Sequence, residues 1–188
     1  MEIFDIVDME GNPTGETVER SVAHAEGIRH RTAHVWVVRK EQDRWQLLLQ
    51  KRAMNKDSFP GCYDTSSAGH ITAGDEPLVS ALRELQEELG IEAAEEDLTF
   101  VQTFEILFQE EFHGKMFKDE EVAFVFVYNK PVEIEKLVIQ KEELDSVEWF
   151  DLEAVEKAIE QKDEKICVPP DGLKVIKNYL LCQKCDLI

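Results

Sequence analysis

The sequence predicts an α/β (α+β) chain: strands that form a mixed sheet, with helices packed against it. Two observations carry this. Short β-rich runs alternate along the chain with two or three runs of helical periodicity. The clearest helical run, with Leu78, Leu82, Leu85 and Leu89 on one stripe, lies in the middle of the chain with strand-like segments on both sides. There is no internal repeat, low-complexity tract or dividing linker, so residues 1–188 read as a single domain.

Each element has its own signal. Glu2 to Val7 alternates like a strand, Gly11 to Gly15 reads as a tight turn, and Glu16 to Ala23 continues as a second short strand. His34 to Arg39 and Gln46 to Lys51 are β-rich and form a hairpin across Lys40 to Arg44. Phe59-Pro60-Gly61 is a turn, and Asp64 to Ala68 is a short strand running into Gly69. The main helix starts at Gly74-Asp75-Glu76-Pro77, with Asp75 or Glu76 as cap and Pro77 in the first turn, and Gly90 stops it. Leu98 to Gln109 and Glu121 to Asn129 are strands around a polar loop, and Val147 to Phe150 is a short strand. Leu152 to Gln161 and Asp171 to Cys182 are helical, separated by Pro169-Pro170.

Composition narrows the function. The 188 residues suffice for one domain with a real core, and the 43% hydrophobic and 32% charged shares suit a soluble globular protein. A formal net charge of −19 repels phosphate backbones and anionic membranes, so nucleic-acid polymers and membranes are not expected partners. A small phosphate-bearing substrate would need cations to approach. The acidic start has no signal-peptide pattern, and no apolar run nears the roughly 20 residues of a membrane span, so a cytoplasmic location is expected. Cys62, Cys167, Cys182 and Cys185 do not form a disulfide framework. Cys182-Gln-Lys-Cys185 lacks a second ligand pair and reads as unremarkable thiols at a helix end rather than a zinc or redox site.

The main helix carries the chemistry. Glu84, Glu87 and Glu88 fall at i, i+3 and i+4, so their carboxylates share one side of the cylinder, apart from the leucine stripe. Such a cluster suits a hard divalent ion, although a solvated face of an acidic protein carries glutamates in the same way. The frame around it decides. Gly69, Asp75, then Arg83-Glu84-Leu85-Gln86-Glu87-Glu88-Leu89-Gly90-Ile91 resembles the Nudix box, with Asp75 in place of the family's first glutamate. That resemblance implies the Nudix fold, a mixed sheet sandwiched between helices, with extra N-terminal strands and C-terminal helices here.

The flanks resemble the isopentenyl-diphosphate isomerase branch of the same superfamily. They run Asn12-Pro13-Thr14-Gly15, Ala23-His24, His30, Trp36, Leu47 to Ala53, Phe59-Pro60-Gly61, Gly69-His70 and Asp119-Glu120-Glu121-Val122. The isomerases use a cysteine just before the Gly-His pair; Ala68 stands there and has no proton to transfer. Their box tends to be degraded, and this one keeps Arg83, Glu84, Glu87 and Glu88. The resemblance therefore implies an isomerase-like scaffold on which water attacks phosphorus in a nucleoside-diphosphate derivative or another small diphosphate. An isomerase and a non-catalytic ligand sensor are the alternatives.

By the same resemblance Glu84, Glu87 and Glu88 hold Mg2+ (or Mn2+), with the Gly69 carbonyl as a further ligand and Glu121 completing the site or acting as base. Arg83 sits four residues before Glu87 and is expected to orient it. Asp75 is expected to cap the helix or hold a bridging water rather than touch metal. His24, His30 and His70 resemble the isomerase branch's metal-binding histidines and could form a second site for a softer ion such as Zn2+ or Mn2+; each could equally satisfy a local hydrogen bond. His34 alternates with Thr32 along a strand and is expected to pack in the core or at its edge. Lys51, Arg52 and Lys56 are the basic residues nearest the box and are expected to receive phosphate, or else to cap a solvated hairpin end. Trp36, Trp45 and Trp149 are expected to pack rather than stack on a base. Specificity is expected to lie in Gln109 to Lys118 and Gln140 to Ser146, and the N-terminal strands could pair across a homodimer.

Overall fold

The computed structural model describes residues 2–56, 58–112 and 114–183. At the N-terminus β1 (Ile3–Val7) and β2 (Pro13–Glu19) form an antiparallel pair. The second strand stops earlier than the alternation suggested: Arg20–Glu26 is a helix, α1, ended by Gly27 at φ 73. The run holds Ala23 and Ala25, and it buries Ala23 and His24 on one side. A helix closed by a left-handed glycine does this better than a strand.

The strands that follow are β3 (His30–Glu41), β4 (Arg44–Arg52), β5 (Tyr63–Asp64) and β6 (Ser67–His70). The expected single strand over Asp64 to Ala68 is thus two short ones that pair with different neighbours: β5 with β4, and β6 with β3. After α2 (Pro77–Leu89) come β7 (Leu98–Phe112), β8 (Lys115–Tyr128), β9 (Leu144–Asp151), α3 (Leu152–Glu160) and α4 (Pro170–Cys182). The sheet runs β5-β4-β3-β8-β7, with β6 on β3 and β9 on β4. Only β3 and β8 are parallel among these pairs, which makes it a mixed sheet. The expected polar loop over Gln109 to Lys118 is largely strand, because the β7–β8 ladder continues out to Phe112 opposite Lys115.

The sheet is sandwiched, as its alternation requires. Val35 and Val37 of β3 face α2, where Ala81, Leu85 and Leu89 are buried with Leu48 and Phe126. Trp36 and Val38 face the other way, against Leu152 and Val155 of α3 and Leu173, Ile176 and Leu180 of α4. Trp45 and Trp149 pack on these cores as partly buried rings. Pro77 opens α2 and Gly90 closes it at φ 68, where a non-glycine residue would be strained. Glu76 occupies the cap position without a side-chain hydrogen bond, so neither Asp75 nor Glu76 caps the helix through its carboxylate. No helix among the described residues is long and apolar enough to cross a membrane.

Candidate active site

The site is built around β6, four residues whose side chains alternate between two faces. Gly69 faces α2. A Cβ built there would lie 2.2 Å from Glu84 Cδ, so the missing side chain is what admits the Glu84 carboxylate. Arg83 fixes that carboxylate: Nη2 donates to Glu84 Oε1 at 2.9 Å and to the His70 carbonyl at 3.0 Å. Nη1 donates to Thr72 Oγ1 at 3.3 Å and lies 3.9 Å from Asp75 Oδ2. Arg83 therefore orients Glu84, not Glu87 as the i,i+4 spacing suggested. The carbonyl and hydroxyl it needs belong to the chain just before the helix, which draws the guanidinium back toward the N-terminus. Arg31 ties down the same loop, donating to Asp5 Oδ2 at 2.8 Å and to the Asp75 carbonyl at 3.1 Å.

The three box glutamates occupy different environments. Glu87 is exposed. Glu84 is half-buried, and burial raises its carboxyl above the ordinary value, with Arg83 opposing. Glu88 is buried, accepts a hydrogen bond from the Ala68 amide at 3.2 Å, and is pushed up to about 8 by desolvation. All three line one cavity of about 1400 Å³. A buried and a half-buried carboxylate one helical turn apart, both resisting ionisation, are what a divalent cation would relieve.

On the opposite face of β6, His70 joins residues from three other elements. His24 of α1, His30 of β3 and His70 each offer a nitrogen within 4.8 Å of the others, and His30 groups likewise with Asp119 and Glu121 of β8. His30 Nδ1 donates to the Ile28 carbonyl at 2.8 Å, which leaves Nε2 as a lone pair facing the cluster. Nε2 of His24, His30 and His70 are all buried without hydrogen-bond partners. Glu121 Oε1 lies 3.7 Å from both His30 Nε2 and His70 Nε2, and Oε2 accepts from Thr32 at 3.0 Å. Burial, then the neighbouring Asp119 carboxylate, push Glu121 well above the usual carboxylate range, and burial holds His30 and His70 below the usual imidazole range. A nest of orphaned imidazole nitrogens beside two acids suits a transition-metal ion. Asp119 is the member that sequence reasoning left out of the site. Its signal was its place two residues before Glu121, on the same face of a strand.

The basic residues divide. Arg52 and Lys56 line the cavity, but Arg52 is bonded to Asp64 at 3.2 Å and to the Ser58 carbonyl at 3.1 Å, and Lys56 is paired with Glu143. Lys51 is not among the cavity residues; it sits in the ladder opposite Tyr63 and Ser146. Gln140, Glu142 and Glu143, from the second expected specificity segment, also line the cavity, as do Phe59, Phe108 and Phe117. Cys62 and Cys167 donate to the Glu164 and Tyr63 carbonyls, while Cys185 lies outside the described residues.

Comparison with known proteins shows the family and the fold. A family model described as NUDIX domain matches residues 28–168. Nudix hydrolase 3 of Arabidopsis thaliana is 37% identical over 166 residues, which cover 86% of this chain but only 21% of that longer protein. An isopentenyl-diphosphate Delta-isomerase of Jannaschia sp. is 31% identical over 153 residues, 81% of either chain. Among solved structures, DR0079 from Deinococcus radiodurans superposes with a TM-score of 0.69 at 16% identity, covering 95% of this chain and 99% of that one.

Proposed function

The chain belongs to the NUDIX domain family, and from that premise we propose that it is a hydrolase that cleaves the diphosphate linkage of a nucleoside-diphosphate derivative or a similar small diphosphate. The whole of residues 1–188 is taken as one unit serving one cavity. The observation that carries the reading is the intact carboxylate set at the Gly69 cradle, next to an alanine where an isomerase would need a thiol.

Glu84, Glu87 and Glu88, with the Gly69 carbonyl, would hold Mg2+ or Mn2+. The ion would offset charge on the diphosphate and make a bound water more acidic. The chain's own residues do the rest. Arg83 fixes the Glu84 carboxylate. Glu87, the exposed member, is the one that can meet an incoming substrate. Arg52 and Lys56 reach the cavity on their ion-pair partners and offer positive charge to phosphate oxygens. Burial and the neighbouring Asp119 raise the Glu121 carboxyl well above the usual carboxylate range, which fits a general acid–base role. His24, His30 and His70, with Asp119 and Glu121, would hold a second ion of the softer kind.

A screen of nucleoside diphosphates, triphosphates, diphosphate sugars and isoprenyl diphosphates with Mg2+ and Mn2+ tests this directly. Phosphate or monophosphate release is expected, lost in Glu87→Gln. Turnover unchanged in that variant would remove the metal-ligand assignment. The same screen decides the isomerase reading, which the histidine cluster favours: allylic product from isopentenyl diphosphate would establish it.

A further inference from the structure

The N-terminal strands and α1 bury a small apolar cluster of their own, Phe4, Val18 and Ala23, apart from the two main cores. Its largest member also reaches the histidines. Phe4 of β1 is wholly buried, and its ring lies almost parallel to two imidazoles. Centroids are 4.8 Å apart at 12° for His30, and 4.6 Å apart at 13° for His70. His24 meets the same ring edge-on, at 6.3 Å and 78°. One phenyl ring therefore faces all three imidazoles. An aliphatic side chain could fill that space. Only a flat ring also sets the planes of its neighbours, because stacked rings lose contact when either one tilts.

The imidazoles need such a constraint. Glu121 Oε1 lies 3.7 Å from the Nε2 atoms of both His30 and His70, so the two rings aim at one region. That separation is too long for a hydrogen bond. His30 is held through Nδ1 by the Ile28 carbonyl at 2.8 Å, whereas Nε2 of both rings is buried without a partner. Ring contacts are left to set the aim of those nitrogens. Phe4 is itself anchored on either side. The Ile3 carbonyl accepts from the Ala73 amide at 2.8 Å. Asp5 Oδ2 accepts from Arg31 Nη2 and from the Gly74 amide, each at 2.8 Å. Ala73 and Gly74 follow His70 in the chain, so β1 is tied to the segment that carries one of the rings it stacks on.

We propose that Phe4 is a positioning residue: its ring holds the His30 and His70 imidazoles in the planes that aim both Nε2 atoms at one ion. The inference rests on the histidine cluster as a second metal position and adds the residue that preorganises it.

The test compares wild type with Phe4→Leu, which keeps an apolar filling and loses the flat face. Zn2+ is titrated by calorimetry, Co2+ is read by its visible absorption, and carbon relaxation of the His30 and His70 rings is measured in metal-free protein. In Phe4→Leu, Zn2+ affinity should fall about tenfold or more. The Co2+ bands should shift, and both rings should become mobile while the backbone stays folded. Phe4→Met carries the same expectations if the leucine variant does not fold. Zn2+ affinity and Co2+ bands unchanged from wild type would overturn the assignment of Phe4. Wild type that takes up neither ion removes the second metal position instead. The relaxation then decides: rings as rigid in Phe4→Leu as in wild type overturn the positioning role.

Discussion

The two faces of β6 carry clusters of polar side chains of opposite construction. Toward α2, three carboxylates come from one stretch of helix: Glu84 lies against Gly69, Glu88 accepts from the Ala68 amide, and Glu87 is exposed. Toward α1 and β8, three imidazoles and two acids come from four separate elements. The first set is all oxygen and includes the exposed Glu87; the second is nitrogen-rich and almost wholly buried. Hard oxygen donors favour Mg2+, and imidazoles favour softer ions. One short strand thus lies between an oxygen-only and a nitrogen-rich set of donors, both lining the same cavity, because adjacent side chains on it point in opposite directions.

The largest expected effect tests that separation. Glu84→Gln should lower Mg2+-supported kcat by about 10²–10³, the range for removing one group that meets developing charge. His24→Ala should instead weaken Zn2+ or Mn2+ binding at least about tenfold and leave the Mg2+ reaction within a few-fold. Metal analysis beside initial rates reads both. If His24→Ala abolishes the Mg2+ reaction as thoroughly as Glu84→Gln, the faces form one metal centre and the comparison breaks.

A smaller effect sharpens the helix side alone. Gly69→Ala places a methyl on the Glu84 carboxylate, whose Cδ lies 2.2 Å from the new carbon. Glu84 must swing away from Arg83. We expect a stability loss of about 1–3 kcal/mol by denaturant melt, with a fall in kcat at unchanged fold. Normal kcat in that variant would show that Glu84 works from more than one position.

These two faces were unequally legible in the sequence. Glu84, Glu87 and Glu88 could be read together because helical pitch is fixed, and Pro77 and Gly90 mark the ends of that helix locally. The histidine cluster could be listed only by resemblance, since what brings His24 to His70 is the pairing of β3 with β6 and β8 and the turn of α1. α1 itself was misread as strand because a seven-residue segment is too short for its period to show. Arg83 was assigned to Glu87 by spacing, but carbonyl and hydroxyl acceptors upstream of the helix outweigh an exposed i,i+4 pair. His34 was expected to pack in the core or at its edge, and it does so against Phe104, on the border of the cavity.

The remaining effect is in pH dependence, and it is read on Glu88 first. Burial raises Glu88 from the ordinary 4.5 to about 8 in the folded chain. Between those values the unfolded chain has lost this proton and the folded chain keeps it. The folded state therefore binds more protons, and stability falls as pH rises through that window. Metal-free protein should show a lower denaturant midpoint near about pH 9 than near about pH 5, by the Glu88 share of that linkage. Glu88→Gln keeps an acceptor for the Ala68 amide and cannot ionise, so it should flatten the slope. A slope that survives in Glu88→Gln belongs to the other raised carboxyls, Glu84 beside it and Glu121 across the strand, which burial shifts in the same direction. Added Mg2+ completes the assignment. A cation that needs Glu88 ionised should release a proton on binding and remove the penalty near about pH 8, whereas an ion seated only among the histidines would leave the Glu88 share of the slope in place.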